Sequence, residues 1–348
     1  MVTLKDISRE IGLSVTQVSR ALGGHADVNP DTRDRVRATA DRLGYRPNAI
    51  ARGLKTGRSG IIAMVVAGTR TPESNAHLFE IVMGLSAEIS ARGQTFVLHV
   101  AEPGADTMRL HAELYRSGSI DGFVLIGPAS DDPRIARLKK LGAPFIVHGR
   151  DPAQSHAFVD IDNMAVGQVM ADHLLRLGHR RIGVLNGVES EFFAVQRRRG
   201  VLAAHAAHGV AADPALMLSM PMIAPNGRRA TLALLDAPQP PTAIIAGNTP
   251  LALGVYQAAA ARGIRVPHDL SVLAHDDGLD MCPPDSFTPA LGGTIAPLTT
   301  AWVALADHLA DIIAAKDGPS HSRILDLTFR KGCSARAISV DTRGHAVP

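Results

Sequence analysis

The stretch TLKDISREIGLSVTQVSRAL, Thr3–Leu22, decides how the N-terminal part of the chain folds. Thr3 and Asp6 stand at capping-box spacing, and Leu4, Ile7 and Ile11 then recur on one helical face. Gly12 stops this helix. Ser14 and Gln17 make a second S-x-x-Q box, opening a helix whose buried side is Val18, Ala21 and Leu22. Gly23-Gly24 end it. A third helix begins at Asn29, a capping residue followed by Pro30 at the first helical position. Its apolar stripe is Val36, Ala40 and Leu43, and Gly44 terminates it.

Two short helices joined by a tight glycine-containing turn, then a third, follow the helix-turn-helix plan. In that plan the start of the second helix meets the DNA major groove. Here it carries Val15, Thr16 and Gln17, with Ser19 and Arg20 further along. Val15 can meet a thymine methyl, Arg20 can donate two hydrogen bonds to guanine, and Thr16 and Gln17 can bond base edges or phosphates. Charge points the same way. Residues 1–60 hold eleven Lys/Arg against six Asp/Glu, while the rest of the 348-residue chain holds 25 against 27. The basic surplus therefore sits at the N-terminus, as a polyanion partner requires. A small solvated basic bundle is the alternative.

From Ile61 onward the pattern alternates. The pattern predicts strands at 61–67, 95–100, 122–127, 144–148, 181–186, 241–247 and 270–275, with helical stretches such as 75–92, 163–177, 196–208 and 250–262. Apolar β runs separated by helices imply parallel sheets, whose ligands lie beyond the carboxyl ends of the strands. Hydrophobic residues at 46% and charged residues at 20% are ordinary for a globular chain. The longest clean apolar run, Ile61–Ala67, is far short of the roughly 20 residues that span a bilayer. Met1–Asp6 lacks the design of a signal peptide, so a cytoplasmic location is expected. Cys282 and Cys333 give neither a disulfide framework nor metal-ligand spacing. The motifs G-x-x-x-x-G-K-[ST], H-E-x-x-H and G-x-S-x-G do not occur. His173, His179, His205 and His208 invite a metal reading, but no third clustered ligand accompanies the His205/His208 pair. Asp276-Asp277 could suggest paired carboxylates, yet neighbours on a strand end point apart. No catalytic residues, metal or cofactor are expected.

The first 60 residues resemble the head and hinge of the lac-repressor (LacI/GalR) family. The match includes Val18-Ser19-Arg20 in the second helix, Thr32-Arg33 opening the third, and Leu43–Asn48 as Leu-Gly-Tyr-x-Pro-Asn. The body resembles the family's periplasmic-binding-protein-like core along its length. The implied fold is an all-α helix-turn-helix head (1–46), a hinge (47–58) and a two-lobe α/β core with parallel sheets (59–348). The first lobe would take about 60–160 and 292–322, and the second about 161–291 and 323–348.

The resemblance implies double-stranded operator DNA of pseudo-palindromic sequence as partner, a homodimer, and allosteric control by a mono- or disaccharide held between the lobes. It adds Thr3, Ser14, Asn29, Thr32, Arg33, Tyr45, Asn48, Ala51 and Leu54 to the DNA contacts, with Leu54 as a minor-groove wedge and Ala51 allowing two hinge helices to meet. Effector contacts would be Asn75, His77, Phe79, Arg150, Phe158, Arg197, Asn248 and Asp276. The chain departs from the pattern at His77, where phenylalanine is usual, at Thr249, where aspartate is usual, and in the loop 278–288, which resembles that of α-glucoside-responsive regulators. A sugar-binding transport-type protein without DNA function is the rival reading. It leaves residues 1–60 unexplained.

Overall fold

The computed structural model describes residues 2–25, 27–45, 57–68, 72–314 and 321–338, with the side chains of 72–77 left aside. Two compact units divide it, Met1–Ser59 and Gly60–Pro348. The hinge residues Asn48, Ala51 and Leu54, and the side chains of Asn75 and His77, lie outside the described set.

The head has three helices, α1 (Leu4–Ile11), α2 (Val15–Leu22) and α3 (Pro30–Leu43). Both capping boxes form. Asp6 Oδ2 accepts from Thr3 N–H (2.9 Å) and Thr3 Oγ1 (2.8 Å). Gln17 Oε1 accepts from Ser14 N–H (2.9 Å), and Ser14 Oγ accepts from Gln17 N–H (3.2 Å). Asn29 Oδ1 caps α3 at Asp31 N–H (2.9 Å). Gly12 and Gly44 end α1 and α3 in the left-handed conformation that glycine adopts without strain. Ile7, Val18, Ala21, Val36 and Ala40 close a small core.

The body runs β1 (Ile61–Ala67), α4 (Pro72–Ala91), β2 (Thr95–Ala101), α5 (Thr107–Arg116), β3 (Gly122–Ile126), α6 (Pro133–Leu141), β4 (Phe145–His148) and β5 (Phe158–Ile161). It continues with α7 (Asn163–Arg176), β6 (Ile182–Asn186), α8 (Phe192–Ala207), β7 (Met217–Ser219), α9 (Ala224–Leu235), β8 (Ala243–Ala246), α10 (Thr249–Ala261) and β9 (Ser271–Asp276). Last come β10 (Gly292–Ile295), α11 (Leu298–Ile313), β11 (Ser322–Leu325) and β12 (Thr328–Arg330). The first sheet is ordered β11-β5-β4-β3-β1-β2 and wholly parallel. The second is β12-β10-β9-β8-β6-β7, parallel except for β12.

Each sheet makes one lobe. The chain passes to the second lobe after Ile161, returns after Ile295, and crosses again between Leu325 and Thr328. The expected lobe limits shift accordingly: Gly292–Ile295 pairs into the second sheet and Ser322–Leu325 into the first. Pairing partners, not local pattern, fix membership of such short strands.

Buried histidines recur in the body. His179 is held between Thr242 and the main chain. Its Nε2 donates to Arg336 O (3.1 Å), so in the neutral ring Nδ1 accepts from Thr242 Oγ1 (2.9 Å). Burial pulls its pKa down from 6.5 to about 4. A folded pKa below the unfolded one means that the contribution is complete above the unfolded value and is lost as pH falls from 6.5 towards 4. The loss from this one site should reach roughly 3 kcal/mol. Urea unfolding should therefore show a midpoint that drops between neutral and mildly acidic pH, and the drop should be smaller in His179→Gln.

Candidate functional site

On the head, Val15 is 39% exposed although apolar, and Thr16, Gln17 and Arg20 are exposed beside it. The capping box uses Gln17 Oε1 and leaves its amide NH2 outside that box. Arg20 pairs with Asp27, both well exposed. Such a pair is worth at most about 1 kcal/mol in water and can yield to another acceptor. The other expected contacts divide by what their side chains already do. Thr3, Ser14 and Asn29 are caps. Arg33 ties down the loop before α3 through His25 O (2.9 Å) and Val28 O (3.3 Å). Thr32 is half-buried, and Tyr45 packs on the small core.

In the body, a cavity of about 130 Å³ opens between the lobes. It is lined by Ile126 at the end of β3, His148 at the end of β4, Asp160 on β5, and Asp277 just beyond β9. It therefore lies where parallel sheets leave their carboxyl ends. The crossovers supply Asn163 and Ala296–Leu298, and α11 supplies Trp302.

Along its polar side, among the described residues, a hydrogen-bonded chain runs from lobe to lobe. Arg150 Nε donates to Asp160 Oδ2 (2.8 Å), and Asp160 Oδ1 accepts from Asn163 Nδ2 (3.0 Å). Asn163 Oδ1 accepts from Arg197 Nε (2.9 Å), and Arg197 Nη1 donates to Gly247 O (2.5 Å). Arg197 is only 7% exposed. Burial lowers its pKa, opposed by the nearby carboxylates of Asp277, Asp160 and Glu191. A guanidinium keeps its charge even so. Nη2 has no hydrogen-bond partner among the described residues. The Phe193 ring lies 5.0 Å from the guanidinium carbon. Asp277 Oδ1 lies 3.2 Å from Nε2 of His275, whose Nδ1 meets Thr294 Oγ1 at 3.0 Å.

Arg197 owes its place to two glycines. Helices α7 and α8 cross with their backbones in contact, where a Cβ on Gly200 would overlap Met164 O and one on Gly167 would overlap Arg197 O. Trp302, 3% exposed, is set in the same way, because a side chain at Gly84 would collide with its indole. The His148 ring meets Trp302 edge-on at 5.0 Å.

Of the expected effector residues, the structure brings Arg150 and Arg197 to this cavity. It does not bring Asn248, whose amide caps α10 at Leu251 N–H (2.9 Å) and donates to Met222 O (3.1 Å). Asp276 turns to a separate small crevice, accepting from Gly278 N–H (2.8 Å), while its neighbour Asp277 lines the main cavity. That is the alternation of a strand end. Phe158 is a core residue, with Arg150 above its ring at 5.9 Å. Phe79 is 62% exposed on α4. Asp160, Asn163, Asp277 and Trp302 were not singled out as effector contacts from sequence. Among the described residues no group of three or more His, Cys, Asp or Glu could hold a metal, and no helix is long and apolar enough to cross a membrane.

Residues 3–48 match the family described as bacterial regulatory proteins, lacI family, and residues 171–333 match a periplasmic binding protein-like domain. The HTH-type transcriptional regulator AglR of Rhizobium meliloti (strain 1021) is 37% identical over 310 residues, covering 88% of this chain and 87% of its own. The HTH-type transcriptional regulator RafR of Escherichia coli is 37% identical over 287 residues, covering 82% and 84%. A solved complex of the transcriptional regulator CelR with cellobiose superposes with a TM-score of 0.70 at 27% identity, covering 96% of this chain and all of that one. With its capped head, two-lobe core and near full-length relatives, the chain belongs to the lacI family of helix-turn-helix transcriptional regulators.

Proposed function

We propose that the protein is a homodimeric repressor of carbohydrate-metabolism genes that binds a pseudo-palindromic operator and is switched by a mono- or disaccharide in the cleft. The observation that carries the sugar is Arg197, a buried cation with one nitrogen unpartnered among the described residues, in a cavity shared with Asp160, Asp277 and Trp302. Vicinal hydroxyls donate and accept at once, so they fit a carboxylate beside a guanidinium. Trp302 and Phe193 offer apolar surface for the CH face of a ring. The CelR neighbour was solved with cellobiose. Arg150, Asp160, Asn163, Arg197 and Asp277 are the effector contacts this reading favours.

DNA would be read by Val15, Thr16, Gln17, Ser19 and Arg20, with Leu54 wedging the minor groove. Phe79 and Met83 on α4, with Val97 and Val100 on the edge strand β2, expose apolar surface suited to a second copy. The action is binding rather than catalysis, and the compartment is the cytoplasm.

Gel shifts on the DNA upstream of the gene, at two salt concentrations, test the reading. Arg20→Ala should weaken operator binding by about 1–3 kcal/mol and change binding to random DNA far less. Equal losses on both would remove its base-reading role, and no shift with any palindromic fragment would defeat the proposal. Titrating the shifted complex with mono- and disaccharides tests the switch.

A further inference from the structure

Away from the crossovers, two sets of hydrogen bonds join the lobes among the described residues. One is main chain to main chain. Ser130 N–H donates to Ser190 O (3.1 Å) and Phe192 N–H to Pro128 O (3.2 Å), around an antiparallel bridge of Ala129 and Glu191. The other depends on a single side chain. Glu80, on α4 of the first lobe, accepts from Asp280 N–H at Oε2 (3.1 Å) and from Met281 N–H at Oε1 (2.8 Å). Those amides belong to the second lobe. A turn closed by Cys282 N–H to Leu279 O (3.3 Å) presents them side by side.

We propose that Glu80 is the latch of the cleft: by gripping the Asp280 and Met281 amides, its carboxylate holds the lobes closed over the cavity and sets how often they part. The inference rests on the reading that this cleft holds the effector. Placement supports it. Ile81, the next residue on α4, lines the cavity, and so does Asp277, which begins the gripped loop. The latch therefore sits at the cavity rim. Both bonds are charge-assisted, and both need one carboxylate to face two consecutive N–H groups, a geometry available only while the lobes are together. No residue of the first lobe other than Glu80 is recorded bonding this loop's amides among the described residues. Opening the cleft breaks both bonds at once, so Glu80 weights the closed state. A ligand that prefers that state binds through the fraction of molecules that hold it. Glu80 is thus a positioning residue that acts through the loop.

Hydrogen exchange of the full-length protein without any sugar tests this, because the Ser130 and Phe192 amides report from the other set of bonds. In Glu80→Ala the amides of 280 and 281 should exchange about tenfold faster or more, and those of 130 and 192 should accelerate with them. Glu80→Gln keeps one carbonyl acceptor and should fall between. Acceleration confined to 280 and 281 in both variants would show that Glu80 tethers only its own loop, and the latch would be overturned. Unchanged exchange at 280 and 281 would overturn it as well. Since no sugar is present, a failure of every saccharide to bind would defeat the effector reading without touching this result.

Discussion

Arg197→Met is expected to abolish the response to the effector while leaving operator binding in place. Methionine is unbranched and fills the apolar part of the space the arginine occupies beside Phe193. It supplies none of the donors. Asn163 Oδ1 and Gly247 O lose their partners, each at a cost of about 1–3 kcal/mol if left dry. Asp277, Asp160 and Glu191 lose the cation that offsets their charge. A sugar hydroxyl that relied on Nη2 loses a charge-assisted bond. Effector affinity should fall on the order of a hundredfold or more. Lysine is not a rescue, because a single ammonium cannot serve Asn163, Gly247 and a ligand with the fixed fork of a guanidinium.

The measurement is release or capture of operator DNA as sugar is added, with calorimetry of sugar binding alongside. Coupling between two sites is reciprocal, so each ligand changes the other's affinity by one factor, ordinarily about 1–3 kcal/mol. In Arg197→Met that factor should approach unity from both directions. A variant that still responds at wild-type sugar concentrations would make Arg197 a structural residue only. Asn163→Ala provides a second reading of the same chain. It cuts the link between Asp160 in the first lobe and Arg197 in the second without removing either charge.

The head was legible because its signals are local. A capping box is satisfied within three residues, and Thr3, Ser14 and Asn29 do what their spacing indicates. The body's central strands were legible because a parallel strand covered on both faces is a continuous apolar run, as Ile61–Ala67 and Ala243–Ala246 are. β10 and β12 were not. Gly292-Gly293 has no apolar run, and a Cβ at Gly293 would overlap Ala274 O, so its conformation is set by the neighbouring strand. The site divides in the same way. Alternation says that Asp276 and Asp277 face apart, but which of them meets the cavity depends on how β9 sits in its sheet. Asp160 and Asn163 flank a crossover, and only the return of α8 brings Arg197 to them. Trp302 reaches the cavity from a helix whose lobe was assigned from a family resemblance, not from its own pattern.

Gly200→Ala gives a case in which local and tertiary reasoning predict opposite signs. Gly200 sits inside α8, where alanine is the better helix former by about 1 kcal/mol. Propensity alone therefore forecasts a more stable protein. The crossing with α7 forecasts the reverse. The added Cβ would overlap the Met164 carbonyl and crowd the Gln168 amide, which are main-chain atoms with no rotamer to give way. The helices must part, and the contact between them is continuous through Gly167 and Arg197. Overpacking of side chains costs about 1–3 kcal/mol, and a clash with backbone belongs at or above the top of that range. For a body of this size a loss of that order should lower the melting temperature by roughly 5–10 °C. A second consequence follows from position. Arg197 lies one helical turn before Gly200, so moving α8 carries the guanidinium away from Asn163 and Gly247. Gly200→Ala should thus weaken effector binding without touching any atom that faces the cavity, and Gly167→Ala, on the opposing helix, should do the same. Calorimetric melting of both variants decides the sign: a higher melting temperature in either would mean that α7 and α8 do not meet backbone to backbone, and the placement of Arg197 would need another cause.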